Sequence, residues 1–367
     1  MGSGSRLLLQ LNRLLLALAA FGLLGSLLAC SLQGPAKAKP QVPAGGVLLQ
    51  GAGATFPSLL YNKWFAAYQQ AHPQTVITYD SVGSGEGIRR FLGRNVKDED
   101  KVDFGASDAA LQDKEIAQAA DGVVMVPMTA GGVALAYNLP DAPPELKLSR
   151  RAYCGIFLGE IKNWNDPLIA AANPGVKLPR LTIVTVVRQD ASGTTFAFTK
   201  HLDAVSEKWR SQYGAATVVN WPGNAMRAKG NEGVAGLLRQ SVGGLAYVGS
   251  EFAHRYGLRA ALLENREGMF VKPNEESIRA ALASAQMPEN LRVYVPDPPG
   301  PEAYPIVTFT WILLRQNYAD PAKAQALRDL FAWSLADGQH YASNLGYVPL
   351  PPAVVEKAQA AVQTVKP

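Results

Sequence analysis

The hydrophobic and polar positions of this chain repeat one local arrangement. The apolar run VLL (residues 47–49) precedes the small-residue segment GAGATFP (residues 51–57), and Leu60, Trp64 and Tyr68 then recur at helical spacing. An apolar run, a segment of small residues and a helical period predict a strand, a loop and a helix in that order.

The same arrangement occurs twice more along the chain. VITY (residues 76–79) alternates like a strand, DSVGSGEG (residues 80–87) follows, and an apolar helix face comes next. In the third copy, residues 181–187 form the apolar run and RQDASGTT (residues 188–195) forms the loop, so a helix is expected from about Phe196.

Two further apolar segments, GVALAY (residues 132–137) and GLAYV (residues 244–248), are typical of strands. Strands that alternate with helices predict an α/β fold with a mixed, mainly parallel sheet and helices on both faces. Ligands of such sheets bind beyond the carboxyl ends of the strands. The three loops are therefore candidate parts of one binding site.

Each of these loops leads into a predicted helix start, where backbone N–H groups lack helical partners and the helix dipole is positive. Glycines let a ligand approach the backbone closely, and Ser or Thr hydroxyls add hydrogen-bond donors. This chemistry favours a bound anion. The alternative for each loop is that its hydroxyl residue only caps the helix.

The length of 367 residues suggests about two domains. Hydrophobic residues at 48% and charged residues at 18% are ordinary for a globular protein, which excludes a disordered chain or a multi-span membrane protein. The net charge is only +5, and no basic run is interleaved with aromatic residues. We therefore expect no nucleic-acid binding.

The N-terminus has the pattern of an export signal. Arg6 and Arg13 precede an apolar run without any charge (residues 14–28). The run ends in Leu-Leu-Ala-Cys, which resembles the lipobox of bacterial lipoproteins and implies that Cys30 carries lipid. A plain signal peptide or a signal anchor is the alternative.

We accordingly expect a lipoprotein-type signal peptide over residues 1–29 and a lipid-anchored linker over residues 30–45. The linker is rich in Pro, Gly, Ala and Lys, a composition that cannot build a core. If Cys30 is lipidated, Cys154 has no cysteine partner within the chain, so no disulfide is expected.

Enzyme signatures are missing from the sequence. It contains no GxxxxGK[ST] phosphate loop, no GxSxG elbow and no HExxH pair. The histidines lack metal-ligand spacing, and we predict packing or surface roles for them: His72, His201, His254 and His340. The sequence thus predicts a binding protein, with neither a catalytic residue nor a metal site.

Binding chemistry is present at three charged residues. Arg188 supplies a forked cation that suits an oxyanion, and Asp190 lies close enough along the chain to hold that fork in position. Asp108 would accept a hydrogen bond from an anion that still carries a proton. Phosphate carries such a proton at neutral pH and sulfate does not, so Asp108 would discriminate between them. An ordinary cap or surface pair is the alternative for both aspartates.

Six segments taken together resemble the phosphate-binding receptors of high-affinity ABC phosphate importers, in order from about residue 51 to residue 347. They are GAGATFP, VGSGEGI, VDFGASDA, VRQDASGTTFAF, KGNEGVAG and GLAYV. The resemblance implies a two-lobed periplasmic-binding-protein fold, type II-like, with one phosphate in the cleft between the lobes. It also implies no cofactor, a monomer, a membrane ABC permease as partner, and a location in the periplasm or at the cell surface.

Position by position, the resemblance implies a specific set of phosphate contacts. The expected phosphate-binding residues are Thr55, Phe56 through its backbone N–H, Ser84, Asp108, Arg188, Ser192, Gly193 and Thr194. Asp190 resembles the residue that braces the arginine. The first lobe would comprise residues 46–132 and 304–367, and the second lobe residues 133–303.

Two features depart from the family pattern. Glu86 stands where a small or neutral residue is expected, and it could weaken anion binding or point outward. Residues 93–101 form a longer and more charged connection, which we expect at the surface. Three alternative functions remain: a receptor for sulfate or molybdate, a phosphoester hydrolase on a related scaffold, and a surface adhesin or signalling subunit that keeps phosphate only as a structural ligand.

Overall fold

The structure is a computed structural model, and it describes residues 40–140, 142–143 and 145–367. The expected signal peptide, Cys30 and most of the expected linker lie outside these residues, so those three assignments stay predictions. In the described part of the chain, no helix is both long enough and apolar enough to cross a membrane.

Strands include all or part of each apolar run that the sequence predicted to be a strand. Their bounds are β1 (Val47–Gly53), β2 (Thr75–Ser81), β3 (Phe104–Ser107), β4 (Val123–Asn138), β5 (Lys147–Leu148), β6 (Val184–Arg188), β7 (Met226–Ala228), β8 (Gly244–Gly249), β9 (Arg259–Ala260), β10 (Leu262–Glu264), β11 (Phe270–Val271) and β12 (Val307–Arg315).

Helices follow the three loops as predicted, and the third begins slightly earlier than expected, at Gly193. The helices are α1 (Ser58–Ala71), α2 (Ser84–Phe91), α3 (Asp113–Ile116), α4 (Arg150–Phe157), α5 (Pro167–Ala172), α6 (Gly193–Val205), α7 (Glu207–Gln212), α8 (Gly230–Gln240), α9 (Ser250–Arg255), α10 (Glu275–Leu282), α11 (Pro321–Leu335) and α12 (Pro352–Gln363). Short 3₁₀ helices occupy Asp98–Asp100, Asp337–Tyr341 and Ser343–Leu345.

The main sheet has the strand order β2-β1-β3-β12-β4-β8-β6-β7, with β9 beside β4. Parallel pairing is confined to the flanks, where β1 pairs with β2 and β3, and β6 pairs with β7 and β8. The centre is antiparallel, because β12 returns between β3 and β4 and β4 then pairs with β8. The sheet is therefore mixed, but less parallel than the sequence predicted.

Strand β4 connects the two halves of this sheet. Its first part, ending at Gly132, pairs with β12, and its second part, beginning at Val133, pairs with β8. We call the strands β1 to β3, β12 and the first part of β4 the first half-sheet, and the remaining strands of the main sheet the second half-sheet. The exact lobe boundaries stay a prediction.

Large aromatic side chains fill the core of both halves. Trp64 and Phe104 are fully buried in the first half, and Trp164 and Trp209 are fully buried in the second. Because β1 pairs in parallel with β2 and β3, the carboxyl ends of these three strands lie side by side along one edge of the sheet, and the segments after them meet there. This edge positions the candidate site.

Candidate functional site

Arg188 is the last residue of β6, and its side chain is only 2% exposed. Its Nε donates to Asp190 Oδ1 at 2.9 Å, and its Nη2 donates to the other carboxylate oxygen. The backbone N–H of Gly230 also donates to Asp190 Oδ1, at 3.0 Å. Asp190 thus holds the guanidinium by two hydrogen bonds. Burial raises the pKa of Asp190, but Arg188 and the Gly230 N–H together lower it more, so the pKa lies below its usual value.

Helix α6 begins beside this ion pair. Ser192 caps it, because the Ser192 hydroxyl accepts a hydrogen bond from the Thr195 backbone N–H at 3.0 Å. The Thr194 hydroxyl lies 3.4 Å from Nη1 of Arg188 and accepts a hydrogen bond from it. The predicted helix start therefore lies against the predicted cation.

Ser84 joins the two half-sheets at this point. Its hydroxyl oxygen accepts from the backbone N–H of Asp108 at 3.2 Å and from that of Gly193 at 3.1 Å. Two N–H donors, one after β3 and one at the start of α6, thus converge on a single oxygen. Both N–H groups are therefore satisfied by Ser84, and the O–H of this held hydroxyl remains to donate to an oxyanion.

Asp108 is 1% exposed, and its carboxylate is engaged on one side by Thr310, whose hydroxyl donates to Oδ1 at 2.8 Å. Burial raises the pKa of Asp108 to about 7, although the Thr310 hydrogen bond and the charge of Arg188 both lower it. The carboxyl group therefore changes its protonation state near neutral pH.

Thr55 is linked to the second half-sheet through Asn231. Its hydroxyl oxygen accepts from Asn231 N at 3.1 Å and from Asn231 Nδ2 at 2.9 Å. The same Nδ2 lies 3.2 Å from the Thr194 hydroxyl oxygen. Phe56 follows Thr55 and is fully buried, and its carbonyl accepts from the Tyr347 hydroxyl at 2.6 Å.

Comparison with known proteins identifies the family. The family described as "PBP superfamily domain" matches residues 34–337. The phosphate-binding protein PstS of Xylella fastidiosa (strain 9a5c) is 38% identical over 317 residues, which cover 86% of this chain and 84% of the relative. PstS of Pasteurella multocida (strain Pm70) is 37% identical over 319 residues, which cover 86% of this chain and 90% of that relative. The chain belongs to the PstS family.

A solved phosphate-binding protein from Stenotrophomonas maltophilia agrees with this PstS assignment in fold. Its TM-score is 0.70, with 20% sequence identity over 86% of this chain and 94% of that one. The predicted two-lobed periplasmic-binding-protein fold is thereby confirmed. The residues that the PstS resemblance singled out lie at or shortly after the ends of β1, β2, β3 and β6, and their contacts with a ligand stay a prediction.

Both departures from the PstS pattern have a structural explanation. The Glu86 carboxylate accepts from Arg89 Nε at 2.7 Å and from Arg90 Nε at 2.8 Å. The hydrogen bond from Arg89, which has the largest effect, and that from Arg90 lower the pKa of Glu86 to about 2. The carboxylate is thus held by its own helix. Residues 93–101 contain the exposed 3₁₀ turn Asp98–Asp100, as expected for a surface loop.

Sequence reasoning missed three residues of the site. Asn231 and Tyr247 lie inside motifs that carried the PstS resemblance, but neither received a role. The Tyr247 hydroxyl accepts from the Arg188 backbone N–H at 3.1 Å and shares a 2.7 Å hydrogen bond with the Thr195 hydroxyl. Thr310 was missed as well, although a threonine within the apolar run VTFTWILL is a detectable signal.

Proposed function

We propose that the chain is an extracytoplasmic solute receptor that binds inorganic phosphate between its lobes and delivers it to an ABC permease for import. The observation that carries this proposal is the buried meeting of Arg188, the Ser84 hydroxyl that two backbone N–H groups hold in place, and the carboxyl group of Asp108. The guanidinium and the hydroxyl suit any tetrahedral oxyanion. The third suits one that carries a proton.

The role of Asp108 separates phosphate from sulfate. An ionised Asp108 accepts a hydrogen bond from protonated phosphate, whereas fully ionised sulfate would place two acceptors against each other. In a buried site the unpaired groups are costly, and discrimination on this basis reaches about 10⁴–10⁵-fold. Sulfate and molybdate receptors are therefore the weaker alternative.

Catalysis is not part of the proposal. The buried His201 is engaged away from the site, by the Tyr153 hydroxyl at 2.9 Å and the Pro296 carbonyl at 2.6 Å. Burial lowers the pKa of His201 to about 4, so the ring is neutral. A hydroxyl at the site would need a paired base to become a nucleophile. Release of phosphate from an aryl phosphate would support the hydrolase alternative instead.

The proposed location follows from the N-terminal sequence. Processing at Cys30 would leave the receptor, which we propose to be a monomer, tethered by lipid in the periplasm or at the cell surface, beside its permease. Lipid chains bind membranes through the burial of their methylene groups. Replacing Cys30 by serine should therefore move the protein from the membrane fraction to the soluble fraction.

The proposal is tested by phosphate uptake in cells that lack their own receptor but express a compatible permease. The wild-type chain should restore uptake, and Arg188→Ala should not, because each charge-assisted hydrogen bond contributes about 1.5–3 kcal/mol. The exposed Arg239→Ala variant is the matched control and should behave like wild type. Full uptake with Arg188→Ala would mean that the site lies elsewhere.

A further inference from the structure

The carboxyl group of Asp108 has two oxygens in different surroundings. Oδ1 accepts the hydrogen bond from the Thr310 hydroxyl at 2.8 Å. Oδ2 faces the start of α6, where a β-carbon placed on Gly193 would lie only 2.7 Å from it. One oxygen therefore faces β12, and the other faces the residues that would surround a ligand.

The backbone fixes Thr310 opposite Asp108. Strands β3 and β12 are antiparallel, with Trp311 paired to Ser107, so Asp108, directly after β3, lies beside Thr310, directly before Trp311. The register between β12 and β4 shifts between Thr310 and Trp311. Thr310 is fully buried, and a buried hydroxyl that donates to a carboxylate is held in one orientation.

From this geometry we propose that Thr310 is a positioning residue for anion selectivity, whose hydroxyl occupies Oδ1 of Asp108 and so reserves Oδ2 for a ligand that carries a proton. The inference rests on the proposed function. Thr310 acts through Asp108 and needs no contact with the ligand itself.

The chemical consequence concerns the proton on Asp108. The Thr310 hydrogen bond stabilises the ionised carboxylate, which is the form that accepts from phosphate and repels sulfate. Without this donor, burial would keep Asp108 protonated to higher pH. A protonated Asp108 donates to an oxyanion, so sulfate would then be accepted.

A substitution at Thr310 leaves the charges of the other titratable groups around Asp108 the same near neutral pH, because the loss of the Thr310 hydrogen bond only raises the pKa of Tyr61 further. Arg188 from β6 lowers the pKa of Asp108. The remaining groups with electrostatic influence are the carboxyl group of Glu251 and the phenols of Tyr61, Tyr79 and Tyr347. Burial raises the pKa values of all four, so they stay uncharged near neutral pH, and a change in selectivity reports on Thr310 and Asp108.

The test is titration calorimetry of the full chain with phosphate and with sulfate, from mildly acidic to mildly alkaline pH. Thr310→Val should lower the phosphate-to-sulfate affinity ratio at least about tenfold, because a hydrogen bond to a charged group is lost. Sulfate binding should also persist to a pH about one unit higher than in wild type. Thr310→Ser keeps the donor and should restore both properties.

Thr308→Val is the matched control. Thr308 lies two residues earlier on the same strand, is also buried, and bonds the Phe309 carbonyl at 2.9 Å, so its loss should leave selectivity unchanged. Thr310→Ala removes the donor without adding an apolar group, and it replaces the valine variant if that one does not fold.

The outcomes separate this inference from the proposed function. If wild type selects phosphate but Thr310→Val or Thr310→Ala keeps the wild-type ratio and pH profile, the role of Thr310 is overturned and the receptor function stands. If wild type binds no phosphate, both fail. A lowered ratio with rescue by Thr310→Ser, and none with Thr308→Val, supports the inference.

Discussion

At the scale of single residues, two buried carboxyl groups have opposite surroundings. Asp108 is bonded by Thr310 and lies near Arg188. Glu251, at the start of α9, is 2% exposed, and neither carboxyl oxygen has a hydrogen-bond partner within the described residues. Burial raises the pKa of Glu251 well above its usual value. The group therefore keeps its proton when folded.

This difference gives a stability prediction for Glu251→Gln. The unfolded chain releases the Glu251 proton at about pH 4.5, whereas the folded chain keeps it, so wild-type stability falls as pH rises above that value. Glutamine has no proton to lose. We expect Glu251→Gln to raise the free energy of unfolding by about 1–3 kcal/mol at neutral pH and by less near pH 5, in urea denaturation.

Glu276→Gln is the control for this prediction, because Glu276 is also in the first turn of a helix but is exposed. It should change stability little at any pH. Equal stabilities of wild type and Glu251→Gln across the whole pH range would show that Glu251 is not a protonated buried acid.

Several contacts of the candidate site join residues that lie far apart in the sequence, and the sequence alone did not predict these contacts. The motifs predicted Arg188 and Asp190 together ahead of a helix, since these lie within one short segment, although that helix begins at Gly193 and not near Phe196. Asn231 and Thr55 are separated by 176 positions, and Thr310 and Asp108 by 202. No local period or spacing contains such pairs, so only the folded chain reveals them.

At the scale of elements, the start of α6 is fitted tightly against the first half-sheet. A β-carbon on Gly193 would lie 2.5 Å from the Ser84 hydroxyl oxygen and 2.6 Å from the β-carbon of Asp108. Atoms cannot approach so closely, and overpacking of this kind costs about 1–3 kcal/mol. Glycine at this position is thus required for the two half-sheets to meet.

Gly193→Ala should therefore weaken phosphate binding at least about tenfold, while the fold persists because alanine favours helices. Equilibrium dialysis measures the affinity, and thermal unfolding checks the fold. Gly233→Ala is the matched helical control, since its new β-carbon would make an ordinary 3.4 Å contact. Normal affinity for Gly193→Ala would mean that ligand binding does not need this close approach.

Strand β4 shows where pattern reading fails at this scale. The sequence predicted a strand from residue 132, whereas β4 begins at Val123. Pro127, Gly131 and Gly132 are residues that usually interrupt strands. Here Pro127 lies opposite Trp311, where the register of β12 shifts, so the pairing continues past a residue that cannot donate to the ladder.

At the scale of the whole molecule, the candidate site depends on both half-sheets. Thr55, Ser84 and Asp108 follow strands of the first, and Arg188 and the start of α6 belong to the second. Hydrogen bonds from Asn231 to Thr55 and from Gly193 to Ser84 join the two. Neither half alone supplies the cation, the held Ser84 hydroxyl and the carboxyl group together.

The most direct test of this account is titration calorimetry of the full-length protein, stripped of bound ligand, against phosphate and then sulfate at mildly alkaline pH, where Asp108 is ionised and phosphate still carries a proton. We predict tight one-to-one binding of phosphate and no measurable binding of sulfate, because only phosphate carries a proton for Asp108. Equal binding of the two anions, or no binding of phosphate, would contradict the account.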